Sequence, residues 1–84
     1  GGLPLIVRTV GCNLPESQLA FGLAAIQDRF GDVEIGSYPF YHPGNLGVKL
    51  VLRATDEERL DAAVCVVSAL IEELGGTPAE ETEC

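Results

Sequence analysis

Between Val48 and Arg53 the residues alternate, with Val48, Leu50 and Leu52 on one side and Lys49, Val51 and Arg53 on the other. A period of two sends successive side chains to opposite faces of a strand, so this segment predicts a half-buried strand with its charge outward. Just upstream, Val33 and Ile35 share the inner face and leave Glu34 outside, beside the cations of the next strand. The stretch 33–53 therefore predicts two antiparallel strands. Their link, Pro39 to Gly47, holds two prolines, two glycines and an asparagine, and these residues predict a turn-rich loop that is mobile at its tip.

The flanking segments carry the patterns of elements that would cover one face of this pair. Leu5–Val10 is rich in β-branched residues and stops at Gly11, which predicts a first strand. Asn13-Leu-Pro-Glu16 has the form of a helix start with Asn13 as the capping side chain. Leu19, Leu23, Ile26 and Phe30 then follow at helical spacing up to Gly31. Thr55-Asp-Glu-Glu58 repeats the capping pattern ahead of a second stripe, Leu60, Val64, Val67, Ile71 and Leu74, which Gly75-Gly76 and Pro78 bring to an end. Thr77–Cys84 is acidic and poor in apolar residues, and is expected to be a disordered tail.

The order β-α-β-β-α predicts an α+β, two-layer sandwich: a three-stranded, mainly antiparallel sheet with two helices on one face. The second hairpin strand takes the middle place, antiparallel to both neighbours. The other sheet face stays open. Residues 1–4 are expected to be linker or cloning residues, 5–76 a single accessory-size domain and 77–84 the tail.

Composition narrows the function classes more than it names one. Thirteen carboxylates against five cations give a net charge of −8. That balance disfavours nucleic acid, whose phosphates are bound mainly by Lys and Arg. No apolar run is long enough to span a bilayer, so no membrane role is expected. Three cysteines, Cys12, Cys65 and Cys84, form no CxxC pair, and the odd count predicts free thiols in a cytoplasmic protein. Cys65, between Val64 and Val66, is expected to be a small buried residue, and Cys12 an ordinary loop thiol.

Four runs carry a family resemblance: R-T-V-G at 8–11, P-E-S-Q-L-A at 15–20, I-G-S-Y-P-F at 35–40 and G-V-K-L-V-L-R at 47–53. Together they resemble the segment that follows the molybdopterin-binding-like domain in the competence/damage-inducible protein A family, and a similar segment in eukaryotic FAD synthases. The resemblance covers about Leu5 to Gly76. It implies a KH-like accessory module without catalytic residues, cofactor or metal of its own. Its implied partner is the preceding domain of the same chain, a nucleotide pyrophosphatase acting on compounds such as ADP-ribose. A homo-oligomer is a further expectation.

The candidate interaction residues fall in two groups. Alternation puts Lys49 and Arg53 on the open face, joined by Arg8 if Leu5 and Val7 point inward; Glu34 pairs with these cations, and Val51 and Ile6 add apolar surface. Tyr38, Phe40, Tyr41 and His42 gather at the hairpin, either as a contact surface or with Tyr38 and Phe40 capping the core and the other two in solvent. Gly44-Asn45-Leu46-Gly47 matches the GxxG of KH-type nucleic-acid sites, but its place between two strands predicts a hairpin turn. His42 has no second ligand at metal spacing, and Ser37 is the nearest hydroxyl for any nucleophilic chemistry.

Overall fold

The computed structural model describes residues 2–80. Its elements are β1 (Ile6–Cys12), α1 (Glu16–Arg29), β2 (Glu34–His42), β3 (Asn45–Ala54), α2 (Glu57–Glu73) and β4 (Ala79–Glu80). The strands form one antiparallel sheet in the order β2-β3-β1-β4, with β3 between β2 and β1 as the order of connections predicts. Both helices cover one face. Val10, Leu50, Leu52, Leu19, Leu60 and Ile71 are fully buried between the layers, which joins the strand alternation and the two helical stripes in one core. Among the described residues, no helix is long and apolar enough to cross a membrane.

The fourth strand is a difference from the three-stranded expectation. Ala79 and Glu80 pair with Gly11 and Val10, and the buried Ser68 hydroxyl of α2 donates to Glu80 Oε1 at 2.8 Å. A strand can be held by backbone pairing and one side-chain bond with a single small apolar residue, here Ala79, so composition alone reads it as tail. The start of the expected disordered tail is thus a strand, and the rest of it, residues 81–84, lies outside the described residues.

The helix ends also differ in detail. Asn13 does not cap α1; its Oδ1 accepts from the Thr77 backbone N–H at 2.9 Å, tying the end of β1 to the segment after α2. The α1 cap position is Pro15, and no side chain caps it. In α2 the cap is Asp56 rather than Thr55, with its carboxylate accepting from Arg59 N at 3.2 Å. At the other end, Gly75 N donates to Glu72 O and Gly76 N to Ile71 O, the paired bonds of a Schellman ending. Leu74, placed on the apolar stripe by spacing, is 40% exposed because it lies in that final turn.

Arg59 joins the start of α2 to the turn between α1 and β2. Its guanidinium donates to Asp32 from Nε and Nη2, at 3.0 Å and 3.1 Å, and lies 4.5 Å from the centre of the buried Phe30 ring. The hydrogen bonds from Arg59 hold the Asp32 carboxyl below its ordinary range. A depressed folded-state pKa gives stability that is present above the unfolded value, about 3.9, and is lost as pH falls through the folded value. Urea unfolding of the wild type and of Asp32→Asn from about pH 6 to about pH 2 is expected to show a smaller acid-induced loss in the variant. Parallel curves would show that this pair contributes nothing to acid sensitivity.

Candidate functional site

Register decides which side chains meet on the uncovered side of the sheet. In β3, Val48, Leu50, Leu52 and Ala54 are buried against the helices, so Lys49, Val51 and Arg53 face away from them. The residues opposite these belong to the same face: Val7, Thr9 and Gly11 from β1, and Glu34, Gly36 and Tyr38 from β2. Further along the ribbon, Phe40 stands opposite Gly47, and His42 opposite Asn45, on that face too. Arg53 Nη1 reaches Glu34 Oε1 at 3.4 Å, the cross-strand pair expected from the sequence.

Arg8 is not part of this surface. It sits opposite Leu52 and shares the helix-covered side with Val10 and Cys12. There its guanidinium bridges two carboxylates of α2, with Nη2 3.3 Å from Glu57 and Nε 3.3 Å from Asp61. The phase of β1 is set by Val10, which is fully buried; counting back by twos places Arg8 and Ile6 inside, and Val7 outside. The expected cationic trio is therefore a pair, Lys49 and Arg53. Val7 takes the place on the open face that was assigned to Ile6.

The Pro39–Gly47 link is not a loop. β2 and β3 stay paired up to His42 and Asn45, and only Pro43 and Gly44 form the turn. Gly44 has φ 75°, a left-handed conformation that glycine adopts at little cost, and the preceding proline is pre-set for the first turn position. Residues 45–47 of β3 pair with β2 alone, beyond the last β1 partner, so the ribbon ends as a short arm. The Gly44–Gly47 motif spans this turn and the start of β3. It lies between strands, unlike a loop between helix ends.

The arm divides the four ring residues between two faces. Tyr38, Phe40 and His42 lie on the open face, where the Phe40 and His42 ring centres are 5.8 Å apart. Tyr41, opposite Leu46, faces the helix side and is 78% exposed because the arm runs past the core. A shallow cavity of about 420 Å³ is lined by Tyr38, Pro39, Phe40, His42, Asn45 and Lys49. Ser37 stands opposite the buried Leu50, on the helix side, so it and His42 lie on opposite faces and form no nucleophile–base pair. Among the described residues no group of His, Cys, Asp or Glu has the arrangement of a metal site.

The cysteines depart from expectation as well. Cys12 is a buried free thiol whose Sγ lies 3.8 Å from Leu14 O. Cys65 is exposed on α2 rather than buried, and is disulfide-bonded rather than a free thiol.

Two further residues escaped the pattern reading. Phe21 is 91% exposed on α1, outside the buried stripe. Gln27 links α1 to β2: Nε2 donates to Val33 O at 2.7 Å and Phe30 O at 3.1 Å, and Oε1 accepts from Ile35 N at 3.1 Å. Its position four residues after Leu23, on the flank of the apolar stripe, was the available signal.

A family model described as FAD synthase, middle domain, matches residues 4–78. No curated protein sequence matches the chain. Among solved structures, the de novo designed protein Foldit4 superposes with a TM-score of 0.77 at 17% identity, covering 96% of this chain and 100% of that one. The designed protein LFR1 1, described as having a ferredoxin fold, gives 0.62 at 13% identity, covering 96% and 88%. A C-terminal segment of the alpha subunit of aIF2 from Pyrococcus abyssi gives 0.56 at 19% identity, and the chain spans 53% of its length while 99% of this chain is covered. At these identities the structures establish the ferredoxin-like fold and nothing about activity.

Proposed function

The chain belongs to the FAD synthase middle-domain family, and from that premise we propose that it is a non-catalytic accessory domain packing beside a nucleotide-processing domain of the same polypeptide. The observation that carries this is the sheet itself, one face covered by two helices and the other uncovered, with exposed Val7 and Tyr38 beside half-buried Val51 and Phe40. A flat, partly apolar face without a deep cleft suits contact with another folded surface better than turnover of a small molecule. The finer assignment rests on the four sequence runs that resemble the competence/damage-inducible protein A segment. It would place the domain after a molybdopterin-binding-like domain with pyrophosphatase-type chemistry.

A KH-like nucleic-acid role has less support. Arg8 is turned into ion pairs with α2, and the GxxG lies in a hairpin, so neither feature that motivates such a role has the required geometry.

The test is an NMR titration of the 84-residue chain with its separately expressed neighbouring domain. Amide shifts are expected along Val7, Thr9, Tyr38, Val51 and Arg53. Shifts confined to α1 and α2, or none, would overturn the assignment of this face, and binding of a second copy in place of the domain would make the face a homo-oligomer contact.

A further inference from the structure

The flank of α2 that faces the β1–β4 edge of the sheet carries Asp61, Cys65 and Ser68, spaced four and three residues apart and so on one side of the helix. Asp61 meets Arg8 of β1, and Ser68 donates to Glu80 of β4. Cys65 lies between these two contacts, exposed and disulfide-bonded. The chain has three cysteines and Cys12 is a buried free thiol, so within one molecule Cys84 is left as the partner.

We infer that a Cys65–Cys84 disulfide clasps the C-terminal segment onto this flank and acts as a redox-sensitive latch on β4. The reach is sufficient. Glu80 is already bonded to Ser68, and Cys65 stands one helical turn from Ser68, about 5 Å along the axis. The four residues from Glu80 to Cys84 extend to roughly 13 Å, and a disulfide needs its Cα atoms within about 7 Å. β4 is weakly held without it. Both of its residues are exposed, and it pairs with β1 only at Val10 and Gly11, helped by the Ser68–Glu80 bond and by the Asn13 bond to Thr77. To close the latch, one cysteine thiolate attacks a small disulfide such as oxidised glutathione, forming a mixed disulfide and expelling a thiolate; the second cysteine then displaces the other half. The two cysteines give up two electrons and two protons, which the oxidant carries away as two thiols, and a dithiol reverses the exchange. Once opened, β4 loses its covalent anchor. Its release extends the free outer edge of β1 to Val10 and Gly11, while the pairing of β1 with β3 stays complete.

The test uses the 84-residue chain equilibrated with oxidised glutathione. Alkylation in denaturant is expected to label Cys12 alone before reduction and all three cysteines after it, and cleavage after glutamate to release Cys84 attached to the peptide that carries Cys65. A reducible dimer joined through Cys65, or three thiols labelled without reduction, would overturn the pairing. Amide exchange over residues 77–80 is then compared with and without dithiothreitol. It is expected to be about tenfold faster in the reduced chain, less than the full effect of closing a loop of roughly 20 residues, because the Asn13 bond anchors Thr77 in both states. Val51 in β3 is expected to be unaffected. Cys84→Ser, and separately Cys65→Ser at its exposed position, are expected to exchange fast without dithiothreitol and to show no further response to it. Equal exchange in the two redox states, or acceleration of Val51 by the same factor, would overturn the latch, the second by showing that the disulfide stabilises the whole domain rather than β4.

Discussion

Replacing Gly47 by alanine is expected to cost about 3 kcal/mol, the upper end of what overpacking a core costs, and to lower the melting temperature by roughly 12–24 °C in a domain of this size. Gly47 is buried where the arm leaves the sheet. A Cβ there would run into the Cys12 carbonyl oxygen and would stand 2.7 Å from Cζ of Phe40. The ring could rotate, but the carbonyl belongs to β1, whose pairing ends at Cys12 opposite Val48, so relief requires moving the backbone. Relaxation through Phe40 would lift that ring from the strand and disturb its contact with His42. Gly31→Ala is the control. A Cβ at that position meets nothing within 4 Å and the backbone is not left-handed, so its effect is expected within about 0.5 kcal/mol of zero. Urea unfolding of both variants checks the pair, and equal small effects would show that the arm root yields without cost.

The elements legible in the sequence are those whose hydrophobic period is unbroken. β3 reads directly from its alternation, and both helices from stripes that are buried almost as spaced. β1 is legible in the sequence but its phase is not. Arg8 lies among β-branched residues, and a lone cation is ordinarily assigned to solvent, whereas here the exposed carboxylates of Glu57 and Asp61 at the start of α2 receive it on the helix-covered side. Such pairing is long-range, so no local pattern reports it. The hairpin is a second case. Pro39 reads as a loop residue, yet β2 is an edge strand, where a missing N–H can face away from the sheet. Of the candidate surface, Glu34, Tyr38, Lys49, Val51 and Arg53 share the open face with Phe40 and His42, while Tyr41 lies behind it. The contribution of β4 and of Asn13 depends on backbone groups, the Ser68–Glu80 bond and one amide, which leave no trace in hydrophobic spacing.

Gln27→Leu, which keeps the bulk and removes the amide, is expected to destabilise the domain by about 2 kcal/mol. The three bonds of this side chain satisfy Phe30 O, Val33 O and Ile35 N, where the chain leaves α1 and enters β2. Ile35 N therefore points away from β3, and by the alternation of an antiparallel ladder so do the backbone groups of residues 37, 39 and 41. Two devices then protect this edge. Gln27 occupies its beginning, and Pro39 removes a donor from its middle, which together interrupt the row of groups that another strand would need. Losing Gln27 exposes the first part of the row. Hydrogen exchange of the Ile35 amide is accordingly expected to accelerate more than that of Val51 in the interior strand, and the variant to self-associate at concentrations where the wild type does not. Uniform acceleration across the sheet, with no change in association, would show that Gln27 contributes only to global stability and that Pro39 alone guards the edge.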